Sequence, residues 1–550
     1  MKKVLALLLV LAIALSLCAC GAKSETPAAD NTPSEAPKGS TEQEAKDIAG
    51  GATEADKVDA DPEDDKYGGS FVTSEKASVA SGCLFYPYNY AGAFTYIYPA
   101  VEQLGLRTAK GTYEPWLCDS WDVDIEAKTT TLHLRQGVMF HDGSELTAEV
   151  VKWNLDKIIE YGNGSVIKDP TSIEVVDKYT LKVTWKDFNV DQDAALYQVP
   201  IYSQKAFEDH GLEWCINNVV GTGPFEMVEY EVDSHLTFKR FDNYWQEGKP
   251  YLDEYKIQII PDEANQMTAF VNGEIDRFQS TNMQISKTMF DMGYENKAII
   301  GEPNSSQVFS IYANNTIEGD PWSDVRVRQA LLLYGIDWSA VGYVAGGQLA
   351  YTLVTPLVEM GPGYDPTLME DAQYDLEKAK GLLAEAGYAD GFKTNIFAYD
   401  YVIPAATEIQ SQLKKNYNID AEVIEMVAGD ERYTNGVNPG VYLCNGYSTI
   451  DFGKYFNIMF NTNAYFKDSM KFTDEFLAKI DLMFNAKSKE EKADYIRELS
   501  RMLFIDQCLF REMYAVPNVI FIQDYVHDSG LERTIDGLTP QDAWLDPEYR

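Results

Sequence analysis

The chain has 550 residues, 45% hydrophobic and 24% charged, which gives it enough apolar surface to fold over most of its length and too much for a disordered polymer. Its 86 Asp and Glu against 46 Lys and Arg leave a formal charge of −40 at pH 7. Such a surface repels phosphate backbones and anionic headgroups, so nucleic acid is excluded as a partner. With 35 Tyr, 25 Phe and 9 Trp, aromatic rings are available both for a core and for the lining of a ligand cleft.

Lys2 and Lys3 precede an uncharged apolar run, Val4 to Leu17, followed by small residues. That is the order of an export signal, and the run is short of the roughly 20 apolar residues a membrane span needs. The sequence Leu17-Cys18-Ala19-Cys20-Gly21 resembles the lipobox of bacterial lipoproteins. The resemblance implies removal of residues 1–19 and lipidation of Cys20, whose thiol forms a thioether to a diacylglyceryl group. Two acyl chains give the stable anchor that one does not. Residues 20–66 are mostly Ala, Pro, Ser, Thr, Asp and Glu with no aromatic, a composition that reads as a flexible acidic tether. The folded body is expected to begin near Tyr67. Of seven Cys, Cys83, Cys118, Cys215, Cys444 and Cys508 remain, widely spaced and odd in number. They form neither a disulfide framework nor a CxxC pair and are expected to be buried thiols.

No further stretch reaches membrane-spanning length and no repeat of about 20 to 50 residues is visible. The body mixes short alternating strands with amphipathic helices. Thr130 to Arg135 predicts a strand and Gln136-Gly137 a turn. Thr147 predicts the N-cap of a helix within 146–160. Thr180 to Trp185 and Leu236 to Arg240 alternate as strands. Residues 375–386 predict a helix with Leu376, Ala379, Leu382 and Leu383 on one face and Gly387 as its stop. Residues 488–506 predict another, with Ile496, Leu499, Leu503 and Phe504 inward. The fold class is α/β.

Several blocks, in order from about residue 115 to 515, resemble the bacterial extracellular solute-binding proteins of family 5, the peptide- and nickel-binding components of ABC importers. They are PWLCDSWDV, TTTLHLRQGVMFHDGSELTAEVV, VVGTGPFEMVEY with FKRFDNYW, IIPDEANQMTAFVNGEIDRF, DVRVRQALLLYGID and YDLEKAKGLLAEAGYADGF. The resemblance implies a two-lobed periplasmic-binding-protein-like (type II) fold, with ligand enclosed between lobes joined by two crossing strands. Lobe I would comprise 67–92, 220–305 and 515–550, with a subdomain inserted at 93–219, and lobe II 306–514. Gly221-Thr222-Gly223-Pro224 would mark the return from the insertion. On its own chemistry it is a tight turn that must avoid side chains, and it lacks the third Gly and the Lys of the nucleotide fingerprints.

No GxSxG, HExxH or GxxxxGK appears, so the assembled nucleophile, base and orienter of an enzyme are not in sight. His133, His141, His210, His235 and His527 are too scattered to suggest a metal cluster. His141-Asp142 lies in the HDG turn and reads as a hydrogen-bonded turn pair. Neither catalytic residues, metal nor cofactor are expected. In the family's peptide binders an Asp after an aromatic residue pairs with the peptide's α-ammonium, because an amine taken out of water without a counter-charge is costly. The matching place is CNGYSTIDFGKYF, which puts Asp451 in that role with Tyr447 four residues before it. The expected function is capture of peptides by a monomeric, lipid-anchored protein on the extracytoplasmic face of the cell membrane, for delivery to an ABC permease. Oligosaccharide binding on the same architecture is the alternative, and a secreted hydrolase stands further off.

Overall fold

The computed structural model describes residues 66–550 apart from 80–81, 90–93, 109–111, 163–166, 168–169, 187–195, 301–305, 360, 428–429, 431–435, 448–455, 457–467 and 531–539. In chain order the main strands are β1 (Ser70–Glu75), β2 (Cys118–Asp124), β3 (Thr129–Leu134), β4 (Pro170–Asp177), β5 (Thr180–Trp185), β6 (Phe225–Glu231), β7 (His235–Arg240), β8 (Glu254–Ile259), β9 (Arg277–Ser280) and β10 (Ala298–Ile300). They continue with β11 (Gln307–Ala313), β12 (Lys393–Tyr399), β13 (Asp420–Met426), β14 (Val441–Tyr447), β15 (Phe510–Val516) and β16 (Val519–Ile522). Three sheets result. One has the order β10-β16-β9-β1-β8-β7-β6, a second β13-β12-β14-β11-β15, and a third β2-β3-β5-β4.

The sequence pattern explains the pairing. β5 alternates half-buried and buried along Thr-Leu-Lys-Val-Thr-Trp, so one face of the small sheet meets the core and the other meets water. β15 is buried at every position although it lies at a sheet edge. An isolated bridge between Tyr351 and Ala515 covers that edge, which removes an open row of N–H and C=O groups.

Helices begin where short polar side chains cap them. The helix Ala148–Glu160 starts with Thr147, whose side chain accepts from the Val150 N–H. The helix Leu376–Glu385 starts with Asp375, which accepts from the Lys378 N–H at 3.0 Å. Ala379 and Leu383 of that helix are buried, and Gly387 takes φ +90° just past its end. The predicted helix over 488–506 is α-helical only through Lys489–Arg501 and then widens into a π-turn, Met502–Asp506. Side chains from another part of the chain hold the wider turn. Gln329 donates to the Ile505 carbonyl and Arg328 to the Gln507 carbonyl at 2.9 Å.

The apolar side chains form one large core around the five-stranded sheet, from Ile311 to Val516. A second, from Phe71 to Leu545, joins the small sheet to the seven-stranded one. A third packs Phe270, Phe278, Met289 and Phe521 on the other side. The small sheet therefore shares a core with the seven-stranded one.

Its seam rests on one carboxylate. Glu102 is 6% exposed and accepts hydrogen bonds from Trp116 Nε1 (2.9 Å), Tyr244 OH (2.7 Å), Trp245 Nε1 (2.9 Å) and Thr222 Oγ1 (2.8 Å). The Arg135 guanidinium lies 4.5 Å from the Trp245 ring centre and donates to the Trp116 carbonyl at 3.0 Å. Burial pushes Glu102 up to about 7 while the four donors pull the other way. Thr222 belongs to the GTGP turn, and that turn accepts no side chain. A Cβ on Gly221 would stand 2.1 Å from the Ala100 carbonyl oxygen, and one on Gly223 would stand 2.7 Å from the Ala100 carbonyl carbon.

His141 fastens the HDG turn to the same place. Its Nε2 donates to the Gly223 carbonyl at 3.0 Å and its Nδ1 accepts from the Gly221 N–H at 3.4 Å, an arrangement that needs the neutral ring. Burial lowers its pKa from the ordinary 6.5 to about 4. A folded-state pKa below the unfolded one means the contribution is complete above pH 6.5 and lost as pH falls toward 4. Partial exposure brings the expected loss to on the order of 2 kcal/mol. Urea unfolding of wild type and His141→Gln between pH 7 and 4 checks this, because the stability difference between them should shrink on acidification. A difference that stays constant with pH contradicts it.

Candidate ligand-binding cleft

Strand register defines where the two larger sheets meet. β1 runs parallel to both β8 and β9, so the C-terminal ends Glu75, Ile259 and Ser280 share one edge. Val519 at the start of β16 pairs with Ser280, and Ile300 at the end of β10 pairs with Val519. In the other sheet β12 is parallel to β13 and β14, which places Tyr399, Met426 and Tyr447 at one edge. Gln307 at the start of β11 pairs with Tyr447 and with Val516 at the end of β15. The chain crosses between sheets twice, from Ile300 to Gln307 and from Val516 to Val519, and each crossing joins these same two edges. Open α/β sheets take ligands at the carboxyl ends of parallel strands, and here both chain crossings run between two such ends.

The first edge is charged. Glu263, at the start of the helix Glu263–Val271, accepts from Lys76, from Ser280 Oγ at 3.0 Å and from Thr281 Oγ1 at 2.8 Å. Burial raises its pKa, but the bonds from Lys76, Thr281 and Ser280 outweigh that and hold the carboxyl below its ordinary range. Glu75 sits beside this group with its Oε1 3.7 Å from Arg277 Nη1. Burial raises the Glu75 pKa against the opposing pull of Arg277 and Lys76.

The second edge is aromatic. The Tyr399 and Tyr401 rings lie 5.7 Å apart at 6° between planes, and Phe309 stacks on Tyr514 at 4.8 Å. Tyr401 is 47% exposed, yet its hydroxyl is fixed, donating to Asn445 Oδ1 at 3.1 Å and accepting from the Asn445 N–H at 3.3 Å. Gly446 is required where it stands, since a Cβ there would fall 2.2 Å from Ser310 Oγ, and Ser310 donates to the fully buried Glu512.

Tyr447 is the last residue of β14, opposite Gln307. Asp451 and Cys20 lie outside the described residues. Asp142 accepts from the Ser144 N–H at 2.9 Å and from Ser203 Oγ, so the His141-Asp142 pair is the hydrogen-bonded turn that its motif suggested. Cys83, Cys118, Cys215, Cys444 and Cys508 are all buried thiols. Among the described residues no group of three or more His, Cys, Asp or Glu could hold a metal ion, and no helix is long and apolar enough to cross a membrane. The sequence reading did not single out Glu75, Arg277, Tyr399 or Tyr401. A charged residue at each of two short strands' ends was the available sign, and it gains meaning only from the pairing of β1 with β9.

The model of the bacterial extracellular solute-binding proteins, family 5 middle region, matches residues 112–480. The glutathione-binding protein GsiB of Salmonella paratyphi A is 28% identical over 333 residues, 57% of this chain, and the chain spans about 61% of the length of that relative. The substrate-binding protein CtaP of Listeria monocytogenes superposes with a TM-score of 0.76 at 19% identity over 88% of this chain and 100% of that one. DppA of Helicobacter pylori, solved with the peptide STSA, superposes with a TM-score of 0.65 at 20% identity over 88% of this chain and 99% of that one. The fold matches the two-lobed architecture of these structures, and the chain belongs to the bacterial extracellular solute-binding proteins, family 5.

Proposed function

We propose that the protein captures peptides between its lobes and delivers them to an ABC permease, acting as a monomeric binding protein rather than an enzyme. The observation that carries this reading is the meeting of a charged edge and an aromatic edge at the two chain crossings. A zwitterionic, partly apolar ligand such as a peptide matches both. The names of relatives point the same way, one a glutathione-binding protein and another solved with a tetrapeptide. The lobes divide at 305/306 and 514/515, with 93–219 as the insertion in lobe I.

Lipid anchoring at Cys20 on the extracytoplasmic face of the membrane completes the reading and rests on the LCAC sequence. The thiol is the acyl acceptor at the processing site, so Cys20→Ala should abolish metabolic labelling by a fatty acid. Label persisting on the variant contradicts the assignment.

Asp451 is assigned to the ligand's α-ammonium, four residues beyond the end of β14 at Tyr447. Asp451→Asn would leave a buried cation unpaired and weaken peptide binding by roughly 3 to 5 kcal/mol, more than about a hundredfold. N-acetylating the peptide should cost the wild type about as much and the variant much less, because both changes delete one interaction. Calorimetry on these four combinations decides. Equal acetylation penalties in both proteins remove Asp451 as the anchor, while binding of oligosaccharides and of no peptide favours the sugar reading.

A further inference from the structure

Arg277 is an arginine in an unusual state. It is 7% exposed, yet its Nε has no hydrogen-bond partner. Its Nη2 reaches only Gln279 Oε1 at 3.5 Å, and its Nη1 stands 3.7 Å from Glu75, beyond hydrogen-bonding distance. A desolvated guanidinium with five donors ordinarily gathers acceptors around itself. Arg328 in lobe II does so, donating to the carbonyls of Gln507, Trp322 and Ser323 at 2.9, 2.7 and 2.9 Å. Arg511, also with open nitrogens, lies 5.2 Å from the Trp338 ring centre within the lobe II core. Among the described residues, Arg277 combines an open Nε with a place on a strand that reaches the crossing edge.

Glu75 is equally loose. No hydrogen bond to its carboxylate lies within 3.5 Å, and its side chain is 27% exposed against 9% for Arg277. It is the more accessible member of the pair, two residues nearer the edge than the level of Arg277, which pairs with Thr73. Lys76, the neighbouring cation, is already held by Glu263 and Thr281. A structural ion pair would close to about 2.8 Å and gain the strength of a charge-assisted bond. This pair instead holds carboxylate and guanidinium 3.7 Å apart, a long ion pair rather than a closed one.

We propose that Arg277 is the lobe I site for a ligand carboxylate, and that Glu75 is a loosely held substitute that the ligand displaces. The assignment rests on the peptide reading and deepens it, for a peptide's C-terminal carboxylate would dock on lobe I. The two residues are predicted to act with opposite sign on binding: Glu75 competes with the ligand and Arg277 holds it.

The test uses the full-length protein, a tetrapeptide mixture as free acids, the same mixture amidated at the C-terminus, and succinate as a small carboxylate probe. Wild type should prefer the acids by at least about tenfold, the size of a lost charge-assisted contact. Arg277→Met should lose the preference, and Glu75→Gln should bind the acids several-fold more tightly than wild type. Equal binding of acids and amides by wild type, or weaker acid binding by Glu75→Gln, overturns the proposal while leaving peptide binding intact. If neither mixture binds, the peptide reading is what has failed. Succinate then decides, raising the melting temperature of wild type, more so that of Glu75→Gln, and not that of Arg277→Met. No response to any probe overturns the assignment, as does an equal large fall in the ligand-free melting temperature of both variants, the mark of a structural ion pair.

Discussion

Everything functional in this molecule follows from one constraint of connectivity: both crossings between the large sheets leave and enter at a single pair of strand edges. Had β10 and β16 met lobe II at opposite ends, the lobes would be clamped and no cleft could open. With Ile300 and Val519 paired in one sheet and Gln307 and Val516 paired in the other, both crossings join the same pair of edges. On the proposed reading the rest of both edges is free to take a ligand between them. A ligand touching both edges binds the shut arrangement better than the open one, and differential affinity of that kind is what drives closure.

Around the small and seven-stranded sheets, Glu102 ties together groups from distant parts of the chain. The sequence blocks that carry the family resemblance are far apart in the chain, yet four of them send a group to this neighbourhood: Trp116 from PWLCDSWDV, Arg135 from TTTLHLRQGV, Thr222 from GTGP and Tyr244 with Trp245 from DNYW. Two indole N–H groups can only donate, so they need an acceptor that cannot be supplied by one another. A carboxylate with four donors satisfies them all. The physical content of the motifs is this convergence, together with the GTGP backbone pressed against Pro99 to Val101.

Local rules read much of this from the sequence. The Thr147 and Asp375 caps, the Gly387 stop and the alternation of Thr180 to Trp185 each concern residues within a few positions of one another, the range over which capping and periodicity act. What escaped was set by distant partners. The π-turn at Met502–Asp506 depends on Arg328 and Gln329, almost 180 residues earlier. Glu102 in Ala100-Val101-Glu102-Gln103-Leu104 looks like a surface acid until Trp116, Thr222 and Trp245 surround it. Arg277 follows the NGEID motif as one polar residue among Arg277-Phe278-Gln279-Ser280, and only its pairing with Thr73 brings it to Glu75. The candidate site is hardest of all, since its two edges come from ten strands between residues 70 and 522.

On the proposed reading the protein converts ligand contact into lobe closure, with the charged edge and the aromatic edge sharing the ligand. Tyr401 is exposed with its hydroxyl anchored on Asn445, and Arg277 is buried with an open Nε. Small-angle X-ray scattering of the purified protein, with and without a saturating tetrapeptide mixture, addresses this directly. Closure predicts that peptide lowers the radius of gyration and that oligosaccharide leaves it unchanged. An unchanged radius of gyration with peptide bound, as confirmed by native mass spectrometry of the same sample, would contradict it.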